Sequence, residues 1–78
     1  MGHQHDVRRD RVRGRLRAKG LDALLVTDFT NVTYLTGFTG DDSYLLVHAN
    51  GEVLITDFRY VTQLEEECPG LELYVRKS

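Results

Sequence analysis

Two apolar runs on either side of a short turn most constrain the fold of this chain. Residues 43–48 and 52–56 are each of strand length, and Ala49-Asn50-Gly51 lies between them. Asn-Gly between two such runs is the strongest short-range signal for a β-hairpin, because both residues accept the backbone angles of a tight turn. The sequence therefore predicts an antiparallel pair of strands in the middle of the chain.

The flanking segments predict helices and further strands around this hairpin. Residues 6–19 form the first predicted helix, with Asp6 as its N-cap and Gly20 as its C-terminal stop. A strand follows at residues 22–27, and its three successive apolar side chains predict cover on both faces of the sheet. Asp57 caps a second helix that ends before Pro69, and the alternating residues 71–75 form a last strand parallel to the first. The predicted order is helix, three strands, helix and strand, which is an α/β fold.

Residues 31–40, Asn-Val-Thr-Tyr-Leu-Thr-Gly-Phe-Thr-Gly, interrupt this strand-rich pattern. We predict a loop between two strands, in which Gly37 and Gly40 hold Phe38 and Thr39 at an exposed tip. Tyr34, Leu35 and Phe38 have the spacing of one helical turn, and from the residues alone we favour the interpretation that they simply cap the end of a small core over a role in binding.

Charge is distributed unevenly along the sequence. Residues 1–19 hold seven Arg or Lys and two Asp, whereas residues 20–78 hold three Arg or Lys and ten Asp or Glu. A helix so rich in arginine suggests binding of nucleic acid. We favour a solvated helix whose cations face the acidic remainder of the chain, because no aromatic residue lies among the arginines to stack on bases.

The sequence offers no recognisable catalytic or metal-binding set. The single cysteine, Cys68, excludes an internal disulfide, and the histidines are two near the start and one at the hairpin. No apolar segment has the length of a membrane span or the position of a signal peptide. We therefore expect a cytoplasmic protein that binds neither membrane nor nucleic acid, with residues 1–5 as a frayed terminus.

Several segments in combination resemble the amino-terminal domain of Xaa-Pro aminopeptidases and Xaa-Pro dipeptidases, the creatinase/prolidase family. The resemblance runs from about Arg8 to Val75. It depends on residues 21–27, the decapeptide 31–40, residues 54–57 and the pair Arg59-Tyr60. The resemblance implies a ribonuclease H-like mixed sheet, of which residues 6–78 would be an incomplete domain.

The resemblance also implies a function for the parent protein. Such enzymes cleave the peptide bond before proline with two divalent metal ions, manganese, cobalt or zinc, which are held in a downstream catalytic domain that these residues do not contain. The amino-terminal domain would support a homodimer and limit access to short proline-containing peptides. By this analogy the residues that face the substrate or line the partner's site are Phe38, Thr39, Asp41, Arg59 and Tyr60.

Three other functions remain open at this point. The chain could be a peptidase-like domain that has lost catalysis and binds other proteins. It could also belong to a creatinase-like amidinohydrolase, or it could be the nucleic-acid module that the arginine helix suggests.

Overall fold

The computed structural model describes residues 3–77 as one α/β unit. Three helices and four strands follow one another along the chain, and a 3₁₀ turn, Phe58–Tyr60, leads into the third helix. In chain order the elements are α1 His3–Ala18, β1 Ala23–Val26, α2 Phe29–Thr36, β2 Tyr44–His48, β3 Gly51–Asp57, α3 Val61–Glu67 and β4 Leu73–Arg76.

The sheet has the order β1-β2-β3-β4. The predicted hairpin is confirmed, because β2 and β3 pair antiparallel with His48 opposite Gly51. β1 is antiparallel to β2, whereas β4 pairs in parallel with β3. The last strand therefore runs parallel to the first, as predicted, and it lies beside β3 because α3 connects these two neighbouring strands.

The core lies on one face of this sheet. Leu45, Val47 and Leu54 project from the two central strands and have no exposed area. Leu16 of α1 and Leu64 of α3 are 5% and 1% exposed and belong to the same apolar cluster. Val32 and Leu35 of α2 complete it, so all three helices contribute to one core.

The opposite face of the sheet is apolar and carries no helix among the described residues. Strand pairing places Leu25, Leu46, Val53, Ile55 and Tyr74 together on it. Leu25 is 49% exposed and Tyr74 is 63% exposed. The prediction that the first strand is covered on both faces is therefore wrong for residues 3–77.

The first helix begins earlier than its sequence predicted. It starts at His3, so Asp6 lies inside the helix, where it binds Arg9 rather than capping the first turn. His5 is half-buried and packs against Gly37. The predicted frayed terminus is thus wrong for residues 3–5, while Met1 and Gly2 lie outside the described residues. The C-terminal stop is confirmed, since Gly20 has a φ of +67°.

The decapeptide is largely helical, which corrects the prediction of a loop. Asp28 caps α2 by accepting a hydrogen bond of 3.0 Å from the N–H of Asn31. Gly37 ends the helix with a φ of +81°, and its N–H donates to the carbonyl of Thr33 at 2.8 Å. A cap at each end outweighs the weak helix propensity of the β-branched residues between them.

No helix in the described part of the chain has the length and apolar character needed to cross a membrane.

Candidate functional site

The candidate site lies where β1, β3 and β4 end, at what we call the carboxyl edge. Because these three strands run in the same direction, their last residues meet at one side of the sheet. β2 begins at the same side, so the segment before it also arrives there. The carboxyl edge consists of residues 39–44, residues 57–60 and Arg76. In open α/β sheets this is the side at which ligands bind.

Arg59 is the centre of the polar contacts at this edge. Its Nε donates to both carboxylate oxygens of Asp57 at 3.0 and 3.1 Å, and its Nη2 donates to the same carboxylate at 2.7 Å. Nη2 also contacts Asp42 at 3.3 Å. The hydrogen bonds from Arg59 lower the pKa of Asp57, and the same carboxylate raises the pKa of Arg59. These contacts use Nε and Nη2. Among residues 3–77 no hydrogen bond of Nη1 is formed, so this nitrogen can bind a ligand.

The local sequence explains why Arg59 takes this position. Asp57 ends β3 with an extended backbone, and its side chain accepts the N–H of Arg59 at 2.9 Å, which starts the 3₁₀ turn. The predicted N-cap is therefore confirmed. Asp57 holds both the backbone and the side chain of Arg59, whose side chain is still 57% exposed.

Tyr60 links the exposed Arg59 to the core. The guanidinium carbon of Arg59 lies 5.2 Å from the centre of the Tyr60 ring. Tyr60 also meets Phe38 edge to face, with ring centres 5.6 Å apart and planes at 80°. Phe38 has no exposed area. The prediction of an exposed Phe38 at a loop tip is therefore wrong, and the alternative that it caps the core is what the structure shows.

Thr39 is exposed, as predicted, but it is fixed to α3. Its N–H donates to Oε1 of Glu67 at 3.0 Å, and its hydroxyl contacts the same carboxylate at 3.1 and 3.2 Å. Nε2 of Gln63 donates to the Thr39 hydroxyl at 3.2 Å. The hydrogen bond from the Thr39 N–H is the main reason that the pKa of Glu67 is lowered. The loop is therefore held at this point by charge-assisted hydrogen bonds.

Asp41 is exposed, and its carboxylate accepts the N–H of Asp42 at 2.8 Å. Asp42 has a φ of +51°, in the left-handed region that Asp tolerates better than most residues. A cavity of about 170 Å³ lies beside these two residues. Its lining includes Phe29, which is half-exposed at the start of α2, and Tyr44. The cavity is of a size to take one side chain of a ligand.

Three residues of the carboxyl edge were not identified as site residues from the sequence: Asp42, Tyr44 and Arg76. Asp42 contacts Arg59, and its carbonyl accepts a hydrogen bond from Nη2 of Arg76. Arg76 also lies 5.5 Å from the centre of the Tyr44 ring. No local sequence pattern indicated that Arg76 belongs to a site, because it lies in the polar segment Arg76-Lys77-Ser78. The direction of the last strand could have indicated it, because parallel strands end at the same side of the sheet.

The described residues do not form a metal centre. No group of three or more His, Cys, Asp or Glu side chains among them could hold a metal ion. The carboxylates at the carboxyl edge are held by Arg59 and by backbone N–H groups instead. The arrangement can bind and orient a polar ligand, and no nucleophile with an adjacent base is formed within it.

Solved structures with this mixed α/β architecture include the N-terminal domain of a peptidase and an Xaa-Pro aminopeptidase. The chain belongs to the creatinase/prolidase N-terminal domain family, whose model matches residues 8–78.

Solved structures agree with this membership. The N-terminal domain of the cytoplasmic peptidase PepQ from Mycobacterium tuberculosis H37Rv is 44% identical, with a TM-score of 0.84 over 91% of this chain and 56% of that chain. An Xaa-Pro aminopeptidase from Streptococcus pyogenes is 36% identical, with a TM-score of 0.89 over 99% of this chain and 60% of that chain. The match confirms the predicted fold class.

A curated relative gives the same result from sequence. An uncharacterised peptidase, YqhT of Bacillus subtilis (strain 168), is 41% identical over 54 residues. These residues are 69% of this chain and 15% of that protein. The chain thus spans only a small part of this relative and little more than half of the two solved chains above.

Proposed function

We propose that this chain is the non-catalytic amino-terminal module of a proline-directed metallopeptidase, an Xaa-Pro aminopeptidase or dipeptidase. The observation that supports it most directly is the family match over residues 8–78. Solved relatives with this fold include an Xaa-Pro aminopeptidase and an Xaa-Pro dipeptidase from Bacillus anthracis. The parent protein would act in the cytoplasm, because the relative PepQ is a cytoplasmic peptidase.

The two divalent metal ions of this proposal belong to a downstream catalytic domain. The described residues do not fit such ions, since no suitable group of ligands is present among them. When bound, the metals would supply an activated hydroxide for attack on the peptide bond before proline. The domain described here would limit access of the substrate to that metal centre, in a homodimer that accepts short proline-containing peptides.

The carboxyl edge gives this role a physical basis. Arg59 is held on Asp57 by three hydrogen bonds, so its guanidinium is already oriented before a ligand arrives. A peptide carries a terminal carboxylate and backbone carbonyls, and both accept hydrogen bonds from a guanidinium. Tyr60, Thr39 and Asp41 would form the surface around it, whereas Phe38 supports Tyr60 from the core.

The first experiment is to sequence the source transcript past the codon for Ser78. A reading frame that continues into a domain with two Asp, one His and two Glu in family order supports the proposal. A frame that stops, or that continues without these ligands, contradicts it.

The second experiment measures hydrolysis of Xaa-Pro dipeptides and tripeptides by the full protein with Mn²⁺, Co²⁺ or Zn²⁺. We expect Arg59→Gln to raise KM about three- to tenfold with little change in kcat, because it removes a binding contact made equally in the ground and transition states. Arg17→Gln is the matched control, since Arg17 is an exposed arginine of α1 away from the carboxyl edge. If both variants behave alike, the role of the carboxyl edge in substrate access is refuted. If the wild-type protein does not hydrolyse these peptides, the peptidase assignment is refuted.

A further inference from the structure

The cations of α1 fall into two groups according to what they contact. Arg9 and Arg13 face the sheet, where they bind Oε1 of Glu52 at 2.6 and 3.1 Å. Burial works against ionisation of Glu52, yet the hydrogen bonds from both arginines outweigh it and lower the pKa of this carboxyl group. This first group confirms that part of the basic helix faces the acidic remainder of the chain.

The second group lines a groove between α1 and α2. Among residues 3–77 no carboxylate forms an ion pair with any of its three arginines. The groove has a volume of about 230 Å³, and none of its lining residues is acidic. We call it the basic groove; it is lined by Arg8, Arg11, Val12, Arg15, Tyr34 and Leu35.

One wall of the basic groove is preorganised. Nη1 of Arg8 donates to the carbonyl of Tyr34 at 2.9 Å, and the guanidinium carbon lies 4.0 Å above the centre of the Tyr34 ring. Tyr34 is itself 49% exposed. This stacking already restricts the side chain of Arg8, so less conformational entropy is lost when a ligand binds to it. An aromatic residue therefore does lie among the arginines, although it comes from α2.

The spacing of the cations indicates the shape of the partner. Arg8, Arg11 and Arg15 are at positions i, i+3 and i+7, so they lie along one side of α1 over about 10 Å. Carboxylates at the same spacing on a second helix would lie opposite them. Val12 and Leu35 provide a small apolar floor, which suits the apolar side of that second helix.

We propose that the basic groove binds an acidic amphipathic helix of a partner protein. Single-stranded nucleic acid fits less well, because Arg8 already covers one face of Tyr34 and because residues 20–78 carry a net charge of −7 that repels an extended polyanion. A short acidic helix carries few negative charges, and they would lie only in the basic groove, away from the acidic residues of the chain. This site shares no residue with the carboxyl edge and does not depend on the proposed function.

The experiment measures fluorescence anisotropy with the full chain at low salt. The probe is a labelled synthetic helix with Glu at positions i, i+3 and i+7 and Leu at i+4. We expect Arg11→Gln/Arg15→Gln to weaken binding about tenfold, from the loss of two partly exposed ion pairs. Arg17→Gln/Lys19→Gln removes the same charge outside the groove, from the last turn of α1 and the residue that follows it, and it should change binding less than twofold. Binding should also weaken as the salt concentration rises from about 0.05 M to about 0.5 M, because salt screens the exposed charges.

Four results would overturn the proposal. The first is an absence of binding by the wild-type chain, and the second is an equal loss in both double variants. The third is tighter binding of a labelled oligo(dT) than of the acidic helix, which would favour nucleic acid. The fourth is self-association of the wild-type chain in sedimentation experiments, if Arg11→Gln/Arg15→Gln abolishes this association and the acidic helix does not compete with it. Circular dichroism checks that both variants fold, as the exposed positions of these four residues lead us to expect.

Discussion

Replacing Gly40 with alanine tests the packing of the carboxyl edge on the core. A Cβ at Gly40 would lie 2.2 Å from Cζ of Phe38 and 2.8 and 2.9 Å from its two Cε atoms. Contacts this short do not occur between real Cβ atoms and their neighbours, so the ring must move. Phe38 has no exposed area and meets Tyr60 edge to face, so it can move only by disturbing close-packed atoms.

The expected size of the effect follows from overpacking. An added methyl group in a well-packed core costs about 1–3 kcal/mol in the free energy of unfolding. With an unfolding entropy of about 2.1 cal/mol/K per residue, 78 residues give about 0.16 kcal/mol/K. Gly40→Ala should therefore lower the Tm by roughly 6–18 °C.

Thermal and urea unfolding followed by circular dichroism measure this change. Gly14→Ala is a matched control, because a Cβ at Gly14 meets nothing within 4 Å. Gly14 lies inside α1, where alanine is favoured over glycine by roughly 0.5–1 kcal/mol, so the control should raise stability. The two substitutions add the same methyl group and should have opposite signs.

A double-mutant cycle tests whether the clash with Phe38 causes the loss of stability in Gly40→Ala. Phe38→Leu alone should destabilise the chain by about 1–3 kcal/mol through the smaller volume that it buries. In the double variant the smaller side chain leaves room for the new methyl group, so the combined loss should be less than the sum by at least about 0.5 kcal/mol. Strictly additive losses, or a Gly40→Ala variant as stable as the wild type, would refute the packing that we describe.

Two further perturbations test other parts of the fold. Gly37→Ala and Gly20→Ala each place a side chain at positive φ and should each lower the free energy of unfolding by about 1–2 kcal/mol. Only the new Cβ at Gly37 would also meet His5, at 2.8 Å, so urea unfolding should show the larger loss for Gly37→Ala. A larger loss for Gly20→Ala would contradict the contact between His5 and Gly37. Glu52→Gln should cost about 1 kcal/mol at neutral pH, because Glu52 is only partly exposed and loses two charged hydrogen bonds. The folded pKa of Glu52 is below its usual 4.5, so this stabilisation is present above that pH and is lost as the pH falls through the folded pKa. Wild-type stability should therefore decline more steeply than that of the variant in acid. At neutral pH the control Glu66→Gln, at an exposed position, should not lower the free energy of unfolding as Glu52→Gln does.

Local signals with a clear mechanism were read correctly from the sequence. Asn50-Gly51 marked the hairpin, Asp57 marked the start of the turn that positions Arg59, and Gly20 marked the end of α1. In each case the residue itself supplies the backbone angle or the hydrogen bond that fixes the element. These contacts act over a few residues, so no knowledge of the tertiary fold was needed to find them.

Features that depend on residues distant in sequence were not predicted. The sequence left two interpretations of Phe38 open, a loop tip and a cap on the core, and the packing of Tyr60 against its ring shows that the second is correct. Tyr34 is more than twenty residues from Arg8 in sequence, so its place in the basic groove needs the contact between α1 and α2. The helix α2 was missed for a local reason, because the cap at Asp28 was not recognised ahead of a segment with four β-branched residues.

The uncovered apolar face of the sheet affects how the stability of these residues can be measured. Reporter dyes that become fluorescent on apolar surface would bind Leu25, Tyr74 and their neighbours in the folded state, and would give a high signal before any heating. A melting curve from such a dye would then report its release from the sheet as well as unfolding. The sequence contains no tryptophan, so intrinsic indole emission offers no substitute. Far-ultraviolet ellipticity follows the backbone instead, and it should be the reference signal for every variant described above.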